Sequence, residues 1–147
     1  MREISILHVD DDDDIRTITQ IAFSLHPEIE LTQFGSGEEA VSFAATGNAD
    51  ILLLDFMMPG LDGLATLEKL RELPQYKNTP AVFMTAKAEK GMKGILMDAG
   101  AASVITKPFD PMTLGDTVIG VLKACSATSQ ILELDSPARP DSAIQTE

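Results

Sequence analysis

Five aspartates, Asp10 to Asp14, directly follow the apolar run Ile4-Ser5-Ile6-Leu7-His8-Val9. Asp55 ends a second such run, Ile51-Leu52-Leu53-Leu54; Thr85 follows Ala81 to Met84, and Lys107 follows Ser103 to Thr106. Each run reads as a strand, so four segments carry polar groups to their carboxyl ends. In an open α/β sheet that rim is where ligands bind. Two carboxylates about 4 Å apart repel by roughly 4 kcal/mol at an effective dielectric of about 20. A hard cation relieves the repulsion, and an all-oxygen site that keeps several waters suits Mg²⁺, with Mn²⁺ as an alternative. Such an ion and Lys107 would together neutralise the oxygens of an incoming phosphoryl group. An ionised aspartate among them can act as nucleophile. The Thr85 hydroxyl can donate to a phosphoryl oxygen, and the small Ala86 beside it leaves room. The set suits transfer of a phosphoryl group onto Asp55.

The segments between these runs have the period of helices. Ile15, Ile18, Ala22 and Leu25 recur at spacings of three and four, and His26-Pro27 closes that helix. Glu28 to Phe34 is a further strand, followed by Gly35-Ser36-Gly37 and a helix carrying Ala40, Val41 and Ala44. Leu64, Leu67 and Leu70 mark a third helix, and Met92, Ile95, Leu96 and Ala99 a fourth that ends at Gly100. Leu114, Val118, Val121 and Cys125 stripe a fifth. Ile51 to Leu54 shows no polar alternation, as expected of a strand covered on both faces. Five strands alternating with five helices predict an α/β fold, a doubly wound parallel sheet. Residues 1–125 are expected to form that domain. From Ser126 the chain turns to Ser, Thr, Pro and Ala, so residues 126–147 are expected to be a flexible tail.

At 147 residues and 44% hydrophobic composition, one domain with a sizeable core is the natural expectation. The formal net charge of -12 disfavours binding to nucleic acid and favours cations and basic protein surfaces. Cys125 is the single cysteine, which excludes an intramolecular disulfide and fits a reducing compartment. No apolar run approaches the ~20 residues that cross a bilayer, so a cytoplasmic location away from membranes is expected.

Taken together, these residues resemble the bacterial response-regulator receiver family. Ile6-Leu7-His8-Val9-Asp10-Asp11-Asp12-Asp13-Asp14-Ile15-Arg16 is similar to its first strand and acidic pair. Asp55-Phe56-Met57-Met58-Pro59-Gly60-Leu61-Asp62-Gly63 resembles its phosphoacceptor loop. Thr85-Ala86, and Ala99-Gly100-Ala101 through Lys107-Pro108-Phe109, complete the set. The resemblance implies a flavodoxin-like (βα)5 sheet in the order 2-1-3-4-5 and a Lys107-Pro108 bond that is often cis. It implies that Asp11 and Asp55 ligate Mg²⁺ directly, that Asp10 acts largely through water, and that Met57 lends its backbone carbonyl. It further implies a stand-alone response regulator, charged on Asp55 by a sensor histidine kinase or a histidine phosphotransfer protein. Such a protein is no enzyme beyond its own phosphorylation and dephosphorylation, and it acts by changing which protein it binds. The fourth helix, fifth strand and fifth helix would form the contact face.

Other readings of the same residues are weaker. Asp12, Asp13 and Asp14 read as a solvated helix N-terminus rather than as ligands. A calcium loop fails because Ile15 and Ile21 stand where that loop needs glycine and glutamate. A haloacid-dehalogenase-type phosphatase wants a second aspartate where this chain has Met57, and an unphosphorylated pseudo-receiver kept only as a binding module would not need the full set of acids, threonine and lysine. His8 reads as a hydrogen-bonded core histidine, His26 as a helix-end charge, and Cys125 as packing.

Two departures from the family carry expectations of their own. Val104 stands where most receivers place a mobile Phe or Tyr, and valine is stiff at χ1. Signal is therefore expected to pass through the loop after the fourth strand and through the fourth helix, softened by Gly91 and Gly94. Met57 and Lys87 are expected to flank the path of hydrolytic water.

Overall fold

The computed structural model describes residues 4–86 and 90–134. Its centre is β3 (Ile51–Asp55), where every residue is buried. On one side β3 pairs with β1 (Ile4–Val9), which in turn pairs with β2 (Ile29–Phe34). On the other side it pairs with β4 (Ala81–Thr85), and β4 with β5 (Ser103–Thr106). All four pairings are parallel, and the sheet order is the expected β2-β1-β3-β4-β5. Parallel neighbours need a crossover, and helices supply each one.

Side chains alternate across the sheet and build two apolar layers. Ile6, Ile51, Leu53, Val82 and Met84 meet Ala22 and Phe23 of α1 (Asp13–Phe23) and Leu114 and Val118 of α5 (Pro111–Leu134). Leu7, Val9, Leu52, Leu54 and Phe83 face the opposite way. They meet Ala40 and Ala44 of α2 (Gly37–Ala44), Leu67 and Leu70 of α3 (Gly63–Arg71), and Leu96 of α4 (Lys90–Asp98). With both faces covered, the uninterrupted apolar character of β3 is explained. Between α3 and β4 a short 3₁₀ turn, Pro74–Tyr76, buries Tyr76 completely. Arg71 Nη1 pins that turn by donating to the carbonyls of Tyr76 at 2.7 Å and Thr79 at 2.5 Å.

Several boundaries and faces differ from expectation. β2 begins at Ile29, one residue later than the sequence predicts. In α1 the buried positions are Thr19, Ala22 and Phe23, whereas Ile18 is 38% and Leu25 52% exposed. Leu25 lies past the helix end, and the polar Thr19 occupies a core position, so a stripe drawn from apolar types alone is out of phase. In α4 the same error recurs: Leu96 is buried and Met92 half-buried, but Ile95 and Ala99 are exposed. Gly100, at φ +110°, closes this helix in a conformation that side chains disfavour. The fifth helix continues past Ser126 to Leu134. Its Ser and Thr content suggested a break, but no glycine or proline stands between Gly120 and Pro137. Residues 135–147, the rest of the expected tail, and Lys87 lie outside the described residues. Among the described residues, no helix is long and apolar enough to cross a membrane.

Candidate functional site

The carboxyl ends of β1, β3, β4 and β5 deliver the groups singled out by sequence to one rim. Asp10 extends the β1–β2 ladder by donating its N–H to the Phe34 carbonyl at 3.1 Å, and it is fully buried. Its Oδ1 accepts the Asp12 N–H at 3.0 Å, closing a turn that leaves Asp11 exposed beside it. Asp12 then caps α1, its Oδ1 accepting from the Asp14 N–H at 2.8 Å and the Ile15 N–H at 3.3 Å. Asp13 pairs with Arg16. Asp12, Asp13 and Asp14 therefore serve the helix start, as expected.

Asp55 ends β3 and is 4% exposed. The chain beyond it is fixed by two bonds, Phe56 N–H to the Met84 carbonyl at 2.9 Å and Gly63 N–H to the Phe56 carbonyl at 3.0 Å. Gly63 must be glycine here, because a Cβ would lie 2.5 Å from the Asp55 carbonyl oxygen. Thr85 is buried at the end of β4, the strand beside β3. Its carbonyl accepts the Lys107 N–H at 2.8 Å, which anchors the start of the β5–α5 loop. The Lys107-Pro108 peptide is cis, as the resemblance implied.

The Lys107 Nζ donates to Asp55 Oδ1 at 3.1 Å and lies 2.9 Å from Asp10 Oδ2. Burial works against its charge, but the Asp10 and Asp55 carboxylates outweigh that effect and hold its pKa above the ordinary lysine value. The Asp55 pKa also rises, which for a carboxyl group favours the uncharged form. Desolvation, and then the negative charge of Asp10, push its pKa up to about 7 against the pull of Lys107. One carboxylate oxygen from each of Asp10, Asp11 and Asp55 lies within 4.8 Å of the others. This donor set is all oxygen, partly open through Asp11, and too negative for the single lysine. It fits a hard divalent cation such as Mg²⁺. Met57 is 67% exposed and, with Met58, Pro59 and Asp62, lines a shallow cavity of about 400 Å³ beside the rim.

Beneath the rim, sequence reasoning singled out His8 but passed over the roles of Arg16 and Gln33. His8 is fully buried; its Nδ1 lies 3.1 Å from Gln33 Nε2, and burial, with the charges of Lys107 and Arg16, lowers its pKa to about 3. It is the hydrogen-bonded core histidine expected. Arg16 Nη1 donates to the Asp10 carbonyl at 2.7 Å. Bonds of this kind end on main-chain atoms, so no pairing of residue types announces them. The only available signal was a basic residue one turn into a helix that opens with acids.

A five-stranded parallel sheet whose strand ends bring acids, a threonine and a lysine to one carboxyl rim is the architecture of a receiver-type module. The description "Response regulator receiver domain" matches residues 6–119, and the chain belongs to that family. Its relatives include the transcriptional regulatory protein ResD of Bacillus subtilis (strain 168), 34% identical over 127 residues, covering 86% of this chain and 51% of that protein. The cyclic di-GMP phosphodiesterase response regulator RpfG of Xanthomonas campestris pv. campestris is 32% identical over 112 residues, covering 76% of this chain and 30% of that protein. This chain thus spans about half or less of the length of these curated relatives. Among solved structures, the receiver domain of the Francisella response regulator 1452 superposes with a TM-score of 0.74 at 31% identity, covering 83% of this chain and 98% of that one. The chemotaxis protein CheY4 of Vibrio cholerae does so with a TM-score of 0.75 at 29% identity, covering 80% and 98%. The protein is a response regulator receiver domain of the two-component type.

Proposed function

We propose that Asp55 accepts a phosphoryl group from a phosphohistidine on a sensor histidine kinase or histidine phosphotransfer protein. In the transfer an Asp55 carboxylate oxygen bonds to phosphorus as the phosphorus–nitrogen bond to the donor imidazole breaks. The electron pair of that bond stays on the departing imidazole nitrogen, which takes a proton from solvent, and an acyl phosphate is left on Asp55. Asp10, Asp11, Asp55 and the Met57 carbonyl are the groups that would hold Mg²⁺. Bound there, Mg²⁺ would supply positive charge to the phosphoryl oxygens. Lys107 neutralises a second side of the group, and the Thr85 hydroxyl donates to one of its oxygens. The observation that carries this reading is the convergence of three carboxylates within 4.8 Å, with Lys107 in contact with both Asp10 and Asp55.

The receiver module is taken as residues 1–125, which include the α5 residues Leu114, Val118, Val121 and Leu122 that pack on the sheet. Its catalysis is confined to its own phosphorylation and dephosphorylation. The change of state is read on the face of α4, β5 and α5 by a downstream protein. A cytoplasmic site of action agrees with the lone, unpaired Cys125. The test is intact-mass analysis after treatment with acetyl phosphate and Mg²⁺. The wild type is expected to gain one phosphoryl group and Asp55→Asn none. Wild type that gains nothing, or Asp55→Asn that gains as much, refutes the reading.

A further inference from the structure

We infer that Arg16 is a positioning residue for the cation site: by holding the main-chain carbonyl of Asp10, it fixes the turn that presents the Asp10 and Asp11 carboxylates. The inference rests on the Mg²⁺ reading of that site and adds a residue outside the ligand set.

Arg16 grips the turn at several points. Its Nη1 donates to the Asp10 carbonyl at 2.7 Å, just beyond Val9, the last residue of β1 in register with its neighbours. Its Nη2 pairs with Asp13 Oδ1, and its own N–H donates to the Asp12 carbonyl at 3.0 Å. The guanidinium therefore ties down positions 10 and 13, on both sides of Asp11, and the helical bond at position 12 completes the turn. Arg16 is itself held from behind, because its carbonyl accepts Gln33 Nε2 at 2.8 Å, and Gln33 also meets His8 Nδ1. This links the start of α1 to β2 and β1 beneath the carboxylates. Space for the guanidinium comes from Gly35, where a Cβ would lie 3.1 Å from Nη1. The planar fork reaches a carbonyl and a carboxylate at once, a geometry lysine cannot reproduce.

The sign of the effect separates positioning from simple charge. A guanidinium near a cation site repels the cation, so its removal should tighten Mg²⁺ binding if charge alone acted. Loss of an outer support for metal-binding groups instead weakens binding, typically by about 10- to 100-fold. The experiment is calorimetric titration of Mg²⁺ into the metal-free full chain, well below the unfolding temperature. Arg16→Met is expected to weaken binding about tenfold, and Arg16→Lys by less. Gly35→Val fills the guanidinium's space without changing any charge and is expected to weaken binding as well. Acetyl phosphate labelling of each variant should recover the wild-type rate once Mg²⁺ is saturating, which a generally damaged fold would not do. Unchanged or tighter binding in Arg16→Met overturns the inference. Should that variant not fold, wild-type affinity in Gly35→Val overturns it. A wild type that binds no Mg²⁺ sinks the cation reading and this inference together, whereas wild-type binding with unaltered variants sinks the inference alone.

Discussion

Asp55 stands between two neighbours of opposite charge, Asp10 raising its proton affinity and Lys107 lowering it. Close packing fixes it there, because Gly63 leaves no room for a side chain against its carbonyl. Two residues on, Met57 is 67% exposed beside the rim. An acyl phosphate on Asp55 would be lost to water, and an apolar side chain at position 57 offers that water no hydrogen bond. Met57→Asn is therefore expected to lose its phosphoryl group several-fold faster, followed by intact mass after the donor is removed. A decay no faster than wild type would refute this role for Met57. The acids, Thr85 and Lys107 were legible in the sequence because each ends or follows an apolar run, and strand ends share a rim. Arg16 and Gln33 were not, since the bonds that tie them to the site, to the carbonyls of Asp10 and Arg16, end on main-chain atoms that carry no residue-type signature.

At the scale of elements, α4 is the least supported helix of the sheet's outer layer. Among its described side chains Leu96 is the single fully buried one, and at Gly91 and Gly94 an added Cβ would meet nothing within 4 Å. Each glycine costs the helix about 1 kcal/mol relative to alanine. Val104, half-buried in β5 against the same apolar layer, provides no swinging ring. Gly91→Ala with Gly94→Ala is expected to slow amide exchange over residues 90–98 and to shrink the change that beryllofluoride with Mg²⁺ causes there. Exchange identical to wild type in both states would show that α4 is not the soft element. Strands were read from the sequence almost to the residue, most directly in β3 and β4, where burial on both faces leaves an unbroken apolar run. Helix faces were read less well. Thr19 fills a core position in α1 while Ile18 and Ile21 face outward, so residue type and burial part company there.

For the molecule as a whole, two buried groups tie stability to pH in opposite directions. Asp55 in the folded, metal-free protein holds its proton up to about 7, against 3.8 for the ordinary side chain. Between those values the folded state binds the proton and the unfolded chain does not, so this contribution falls as pH rises and is fully lost above about 7. His8, lowered from 6.5 to about 3, does the reverse: its contribution is present above 6.5 and is lost as pH falls toward 3. Comparing wild type with Asp55→Asn removes the histidine from the difference. In chelator, Asp55→Asn is expected to be the more stable protein at about pH 8, with the advantage shrinking toward pH 4 by at most about 1.4 kcal/mol per unit. Equal thermal denaturation of the two proteins across that range would disprove the raised Asp55 pKa. Tyr76, sealed under the α3–β4 crossover, has a further experimental consequence. The chain has no tryptophan and this one tyrosine, so its tyrosine emission arises wholly from that crossover. Ultraviolet fluorescence will thus track unfolding while staying nearly blind to events at the rim, giving a built-in optical gauge of intactness for any ligand titration.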